Sequence, residues 1–154
     1  MTSFSSACVL GDDDGFRQAA LQHYGIESVT SISIRQLSIS ARLKLLMPQF
    51  RAQCPQLLWI RLPGSSFRNG DKSATVLQSI DTILTEQLFQ GRLVFIEAHR
   101  DNQSWNSGTI AHAIRNGSIK LHKISWCLLG IKHSDGTNPT NETCLLYTSP
   151  SPRD

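Results

Sequence analysis

No apolar run in the chain approaches the roughly 18 residues that a membrane-spanning helix requires. No Lys or Arg precedes the short apolar stretch within Met1–Leu10, so that stretch does not read as a secretory signal. The four cysteines, Cys8, Cys54, Cys127 and Cys144, stand far apart with no Cys-x-x-Cys pair, which indicates neither a zinc site nor a disulfide framework. The compartment expected is therefore reducing and intracellular, cytoplasmic or nuclear, with no membrane partner. Charge is sparse at 18% of residues, and a net +3 from 15 basic and 12 acidic residues is too mild for a dedicated nucleic-acid or anionic-membrane binder. With 10 Gly and 6 Pro, and no internal repeat, the composition excludes collagen, coiled coil and gross disorder. What is present is an ordinary domain of 154 residues, 40% hydrophobic, with mean hydropathy −0.19. A chain of that length buries roughly 68–70% of its unfolded surface without disulfide or metal.

Strand and helix patterns alternate along it. A β-prone run over Ser3–Leu10 leads into the turn Gly11-Asp-Asp-Asp-Gly15, and a helix follows from Phe16 to Tyr24, stopped by Gly25. Ser28–Ile34 reads as a strand, although Val29 is out of phase with Ile32 and Ile34. Ser40–Gln53 reads as a helix that Pro48 kinks or splits. Gln56–Leu62 and Leu93–Ala98 are continuous apolar runs of the kind parallel strands show when covered on both faces. Between them, Val76, Leu77, Ile80, Ile83, Leu84 and Leu88 keep one helical stripe up to Gly91. A short helix over Thr109–Arg115 and a strand over Ile119–Trp126 follow, with Cys127–Ile131 extending that edge. This order predicts an α/β fold, a mostly parallel sheet with helices on both faces.

In such sheets ligands bind beyond the carboxyl ends of the strands. The loops after Leu10, Leu62 and Ala98 are thus the ones to search. Asp12, Asp13 and Asp14 suit helix capping, or a cation or cationic cofactor; three carboxylates there repel a phosphate. Glu97 ends a buried strand, and is either a crevice carboxylate for base contact or proton transfer, or the partner of Arg61 or Arg100. Trp105 either stacks on a ligand or pins its own loop. The histidines show no pair at helical metal-site spacing, so no metal site is expected.

The order of elements, with Leu62-Pro-Gly-Ser-Ser-Phe67 after one strand and Phe95-Ile-Glu-Ala98 ending the next, resembles cytosine-C5 DNA methyltransferases in eroded form, of the kind found within retroelement polyproteins. The resemblance implies an incomplete Rossmann-like domain over residues 1–143 that uses S-adenosylmethionine. It places the cofactor loop on Val9–Phe16, where Gly11, Asp13, Asp14 and Gly15 would face the cofactor. It places Pro63 and Glu97 toward the substrate, and Ser65, Ser66 and Trp105 are further substrate-side candidates by their position in the loops after those strands. Pro63 matches the family's proline, but Gly64 stands where the nucleophilic cysteine belongs, and Ala98 replaces the asparagine beside Glu97. Covalent catalysis needs an activated thiol or hydroxyl, which glycine lacks. Cys54 precedes the strand and belongs at its opposite end. Two readings follow: a catalytically silent scaffold or binding domain of a longer retroelement-type polyprotein, meeting nucleic acid through that polyprotein, or an active S-adenosylmethionine-dependent enzyme using Glu97 without a covalent intermediate.

The last eleven residues, Cys144-Leu-Leu-Tyr-Thr-Ser-Pro-Ser-Pro-Arg-Asp154, resemble the conceptual translation of a sequencing adapter. They are expected to be foreign and disordered, with the native frame cut near Thr143 and the domain truncated there.

Overall fold

A computed structural model describes residues 5–11, 15–62, 71–99, 102–106, 108–125, 135–136 and 142–147. The elements run β1 (Ser6–Leu10), α1 (Gly15–His23), β2 (Ser28–Ile32), a 3-10 turn (Ile34–Ser38) and α2 (Ser40–Gln53). They continue β3 (Leu57–Arg61), α3 (Asp71–Phe89), β4 (Leu93–His99), a second 3-10 turn (Gln103–Trp105), α4 (Gly108–Arg115), β5 (Lys120–Ser125) and β6 (Glu142–Tyr147). The strands form one sheet in the order β2-β1-β3-β4-β6-β5. The first four are parallel, with Cys8 opposite Leu58 and Leu58 opposite Val94.

Alternation along each strand sorts side chains onto two faces. Cys8, Leu10, Ile32, Leu58, Ile60, Val94, Ile96 and Ala98 point to one face, where Leu37, Met47 and Phe50, the α3 stripe Val76-Ile80-Ile83-Leu84, and Ile110 and Ala113 of α4 cover them. Ala7, Val9, Val29, Leu57 and Trp59 point the other way, toward Leu21 of α1 and Ile26. Val29 is out of phase with Ile32 because the strand is packed on both faces.

Three expectations need correction. Pro48 does not split α2, which leaves the kink as the surviving alternative: Ser40–Gln53 is one helix with the proline inside. Pro48 lies on its exposed side, where water can satisfy the carbonyl that loses a donor. The stretch after Ile32 is a 3-10 turn rather than strand, and its buried Ile34 and Leu37 plug the end of the core. Finally, the expected disorder from Cys144 onward fails for Cys144–Tyr147. These residues belong to β6, which inserts antiparallel between β4 and β5, with Ile96 opposite Leu146 and Leu146 opposite Leu121. The apolar run Cys144-Leu-Leu-Tyr147 has strand propensity, and the outer edge of β4 offers it unpaired backbone groups. Residues 148–154 and the expected extension over 127–131 lie outside the described residues.

Candidate functional site

The chain leaves β1 for β2 on one side and returns through α2 to β3 on the other, so the crevice position of such sheets falls at the carboxyl ends of β1 and β3, beside β4. Gly11 reaches it from β1, but is buried, and its N–H donates to the Ile32 carbonyl at 3.1 Å, prolonging the pairing of β1 with β2. Leu62 continues β3 in the same way, donating to the Glu97 carbonyl at 2.9 Å. Asp12, Asp13, Asp14, Pro63, Gly64, Ser65 and Ser66 lie outside the described residues.

Glu97 is the crevice residue with the clearest geometry. It sits in β4 opposite Arg61 and is only 7% exposed. Its Oε2 accepts a hydrogen bond from the Trp59 indole Nε1 at 3.1 Å, and Arg61 Nε stands 4.0 Å from Oε1. Each partner answers a need of the other: a half-buried indole N–H requires an acceptor, and a buried carboxylate requires donors and countercharge. The Trp59 ring is fixed in turn, edge to face with Phe95 at 4.9 Å between centroids. The Arg61 contact is the weaker one, long and to a cation whose side chain is 48% exposed.

Beyond β4 the loop folds back. The His99 carbonyl accepts the Trp105 indole N–H at 2.8 Å and the Asn102 N–H at 3.0 Å. Trp105 is 8% exposed and belongs to the main core cluster. This geometry ties the Trp105 loop to the end of β4. His112 and His122 are exposed on separate elements, and Cys54 lies before β3, at the end away from the crevice. Among the described residues no three His, Cys, Asp or Glu side chains converge as a metal ion would need, and no helix is long and apolar enough to cross a membrane.

The described residues fit S-adenosylmethionine poorly. A nucleotide cradle uses glycine where the backbone must turn left-handed or a ligand must come close. Gly15 has no positive φ, and a Cβ there meets nothing among the described residues within 4 Å. Ribose recognition in Rossmann-type sites uses a carboxylate just beyond the second strand. After Ile32 this chain offers Ser33 and Arg35, and no Asp or Glu occurs anywhere from Ser28 to Gly70.

Asp81 escaped the sequence reading. Helix α4 has no acidic residue in its own first turn, which leaves the positive end of its dipole uncompensated locally. Asp81 of α3 supplies the carboxylate, held by hydrogen bonds from the Thr109 side chain and backbone. Burial pushes its carboxyl above the ordinary carboxylate value, and the Thr109 bonds offset part of that rise. The available signal was the uncompensated start of α4; the partner lies 28 residues back in sequence and cannot be found by local pattern.

No protein-family profile and no curated protein matches the chain. Among solved structures, the protein-(glutamine-N5) methyltransferase, release factor-specific, of Alicyclobacillus acidocaldarius aligns over 97% of this chain and 83% of its own. The TM-score is 0.53 and the identity 12%. A Thermoplasma acidophilum protein designated 1320 aligns over 96% of this chain and 79% of its own, with TM-score 0.46 and 10% identity. At such identity the likeness to the methyltransferase speaks for architecture alone: the chain has a methyltransferase-like Rossmann α/β fold.

Proposed function

We propose that this chain is a catalytically silent methyltransferase-fold domain, serving as a scaffold or binding module. The observation that carries the reading is the engagement of Glu97. The one carboxylate the described crevice offers is 7% exposed and bonded to Trp59, an arrangement suited to holding β3 and β4 together rather than to moving protons. The glycine at position 64 and the missing carboxylate beyond β2 support the same reading. The retroelement-type setting, with nucleic acid reached through a longer chain, rests on the sequence resemblance alone. So does the foreign origin of residues 144–154; on that view Cys144–Tyr147 fill a slot that belongs to the native continuation. Sequencing the parent transcript through codon 143 tests both, and a native transcript that encodes Cys144–Asp154 contradicts the foreign origin.

A thermal-shift titration with S-adenosylmethionine tests the silent reading. At millimolar ligand, a site with a dissociation constant of about 10 μM would stabilise the fold by roughly 2.7 kcal/mol, or several degrees in a domain of this size. The expected response is flat, and a saturable rise favours the active alternative built on Glu97.

A further inference from the structure

Helix α2 is apolar on two opposite sides. Leu43, Leu46, Met47 and Phe50 turn inward and join the main core. On the outer side Ala41, Leu45, Pro48 and Ala52, spaced four, three and four residues apart, fall on a single stripe and are all exposed. Leu45 is 72% exposed. Arg42 borders the stripe along one edge and Lys44 with Arg51 along the other, and all three are exposed.

The charge of this region is one-sided. Between Ser28 and Gly70 every ionisable acid is missing, while Arg35, Arg42, Lys44, Arg51, Arg61 and Arg68 fall in that span. Arg51 is neutralised by Glu86 of α3 at 3.1 Å. Arg42 and Lys44 have no carboxylate partner among the described residues, although the remainder of the chain is acidic on balance.

We propose that the outer face of α2 docks an amphipathic helix of a partner protein whose apolar stripe is bordered by Asp and Glu. The small Ala41 and Ala52 at the ends of the stripe allow a second helix to approach to the usual 8–10 Å or so between axes, with Leu45 as the knob. The basic edges then meet acidic edges, which fixes register and speeds encounter. A nucleic acid matches this face less well, because an apolar spine would lie against phosphates and the helix shows no exposed aromatic for a base to stack on. An anionic membrane matches less well too, since interfacial helices present several bulky apolar groups and Leu45 is the single large one here. At 14 residues the helix is about 21 Å long, so the contact is at the small end for protein interfaces and on the order of micromolar in affinity.

The test uses the full chain and a fluorescent designed helix of about four turns, with a Leu/Ala stripe bordered by Glu, read by anisotropy. Micromolar binding is expected, weakened roughly tenfold or more by Arg42→Glu with Lys44→Glu, and similarly by Leu45→Glu. A companion peptide with Lys in place of Glu should prefer the charge-reversed protein. Thermal unfolding of the variants monitors folding, and unchanged unfolding is expected because all three positions are exposed. Failure of the acidic peptide to bind, or binding indifferent to these substitutions, overturns the proposal. So does an oligonucleotide, an anionic phosphatidylglycerol vesicle, or self-association of the chain that responds to the same substitutions in the peptide's place.

Discussion

On one face of the sheet Leu58, Ile60, Val94, Ile96 and Ala98 are sealed under α2, α3, α4 and the first 3-10 turn. On the other, Leu57 and Trp59 pack toward α1, while Phe95 and Glu97 join neither hydrophobic cluster. The same strands thus present an almost purely apolar surface to one side and a mixed one to the other. The first face holds the fold together, and the second carries the polar groups that a site would use. This division explains how one architecture can be shared at 12% identity with a solved methyltransferase: the sealed face depends on periodic apolarity, which many sequences satisfy.

Substitutions can break or sharpen that contrast. The largest effect belongs to the sealed face, where Ile96→Ala or Phe50→Ala should remove about 2–5 kcal/mol of stability in urea unfolding. On the mixed face Trp59→Phe keeps the ring and deletes the indole donor to the Glu97 carboxylate, for a loss of about 1–3 kcal/mol. Glu97→Gln keeps an acceptor for Trp59 and should lose less than about 1 kcal/mol, which near-ultraviolet circular dichroism and unfolding together can verify.

At the α3–α4 junction, Asp81→Ala removes the remote cap and should lose on the order of 1 kcal/mol. The pH dependence has a defined sign. Because burial raises the Asp81 carboxyl above its ordinary value of 3.8, its favourable contribution is complete below that value and declines as pH rises through the higher folded-state value. Asp81→Asn keeps a neutral acceptor for Thr109. The stability difference between Asp81→Asn and the parent should therefore shift in favour of the variant as pH climbs from 4 toward neutrality, followed by thermal melts across that range. A difference that is flat, or that moves the other way, would refute the burial argument. Smallest of all, Arg51→Ala deletes a pair whose arginine side chain is 58% exposed and should change stability by less than about 1 kcal/mol, vanishing in high salt.

Much of the fold was legible because its signals are local. The runs at Leu57–Arg61 and Leu93–His99, and the stripe from Val76 to Leu84, announce buried parallel strands and a covering helix without reference to anything distant. Strand β6 was not legible, because its residues read as foreign sequence and its partners, β4 and β5, are remote. The tolerance of Pro48 depends on which side of α2 meets water, a property of packing rather than of residues 40–53 alone. In the crevice, Glu97 could be singled out from its position at the end of an apolar run. That its carboxylate is held by Trp59 depends on the pairing of β3 with β4, which places residues 38 apart in sequence on one face. Asp81 and Thr109 were hidden for the same reason.

We propose a methyltransferase-like fold whose crevice does not bind S-adenosylmethionine. Equilibrium dialysis of the full chain against methyl-labelled S-adenosylmethionine tests it most directly, with Glu97→Gln dialysed alongside. The account predicts no saturable retention by either protein. Saturable binding by the parent chain, weakened in Glu97→Gln although that variant remains folded, would contradict it and assign the crevice a working carboxylate.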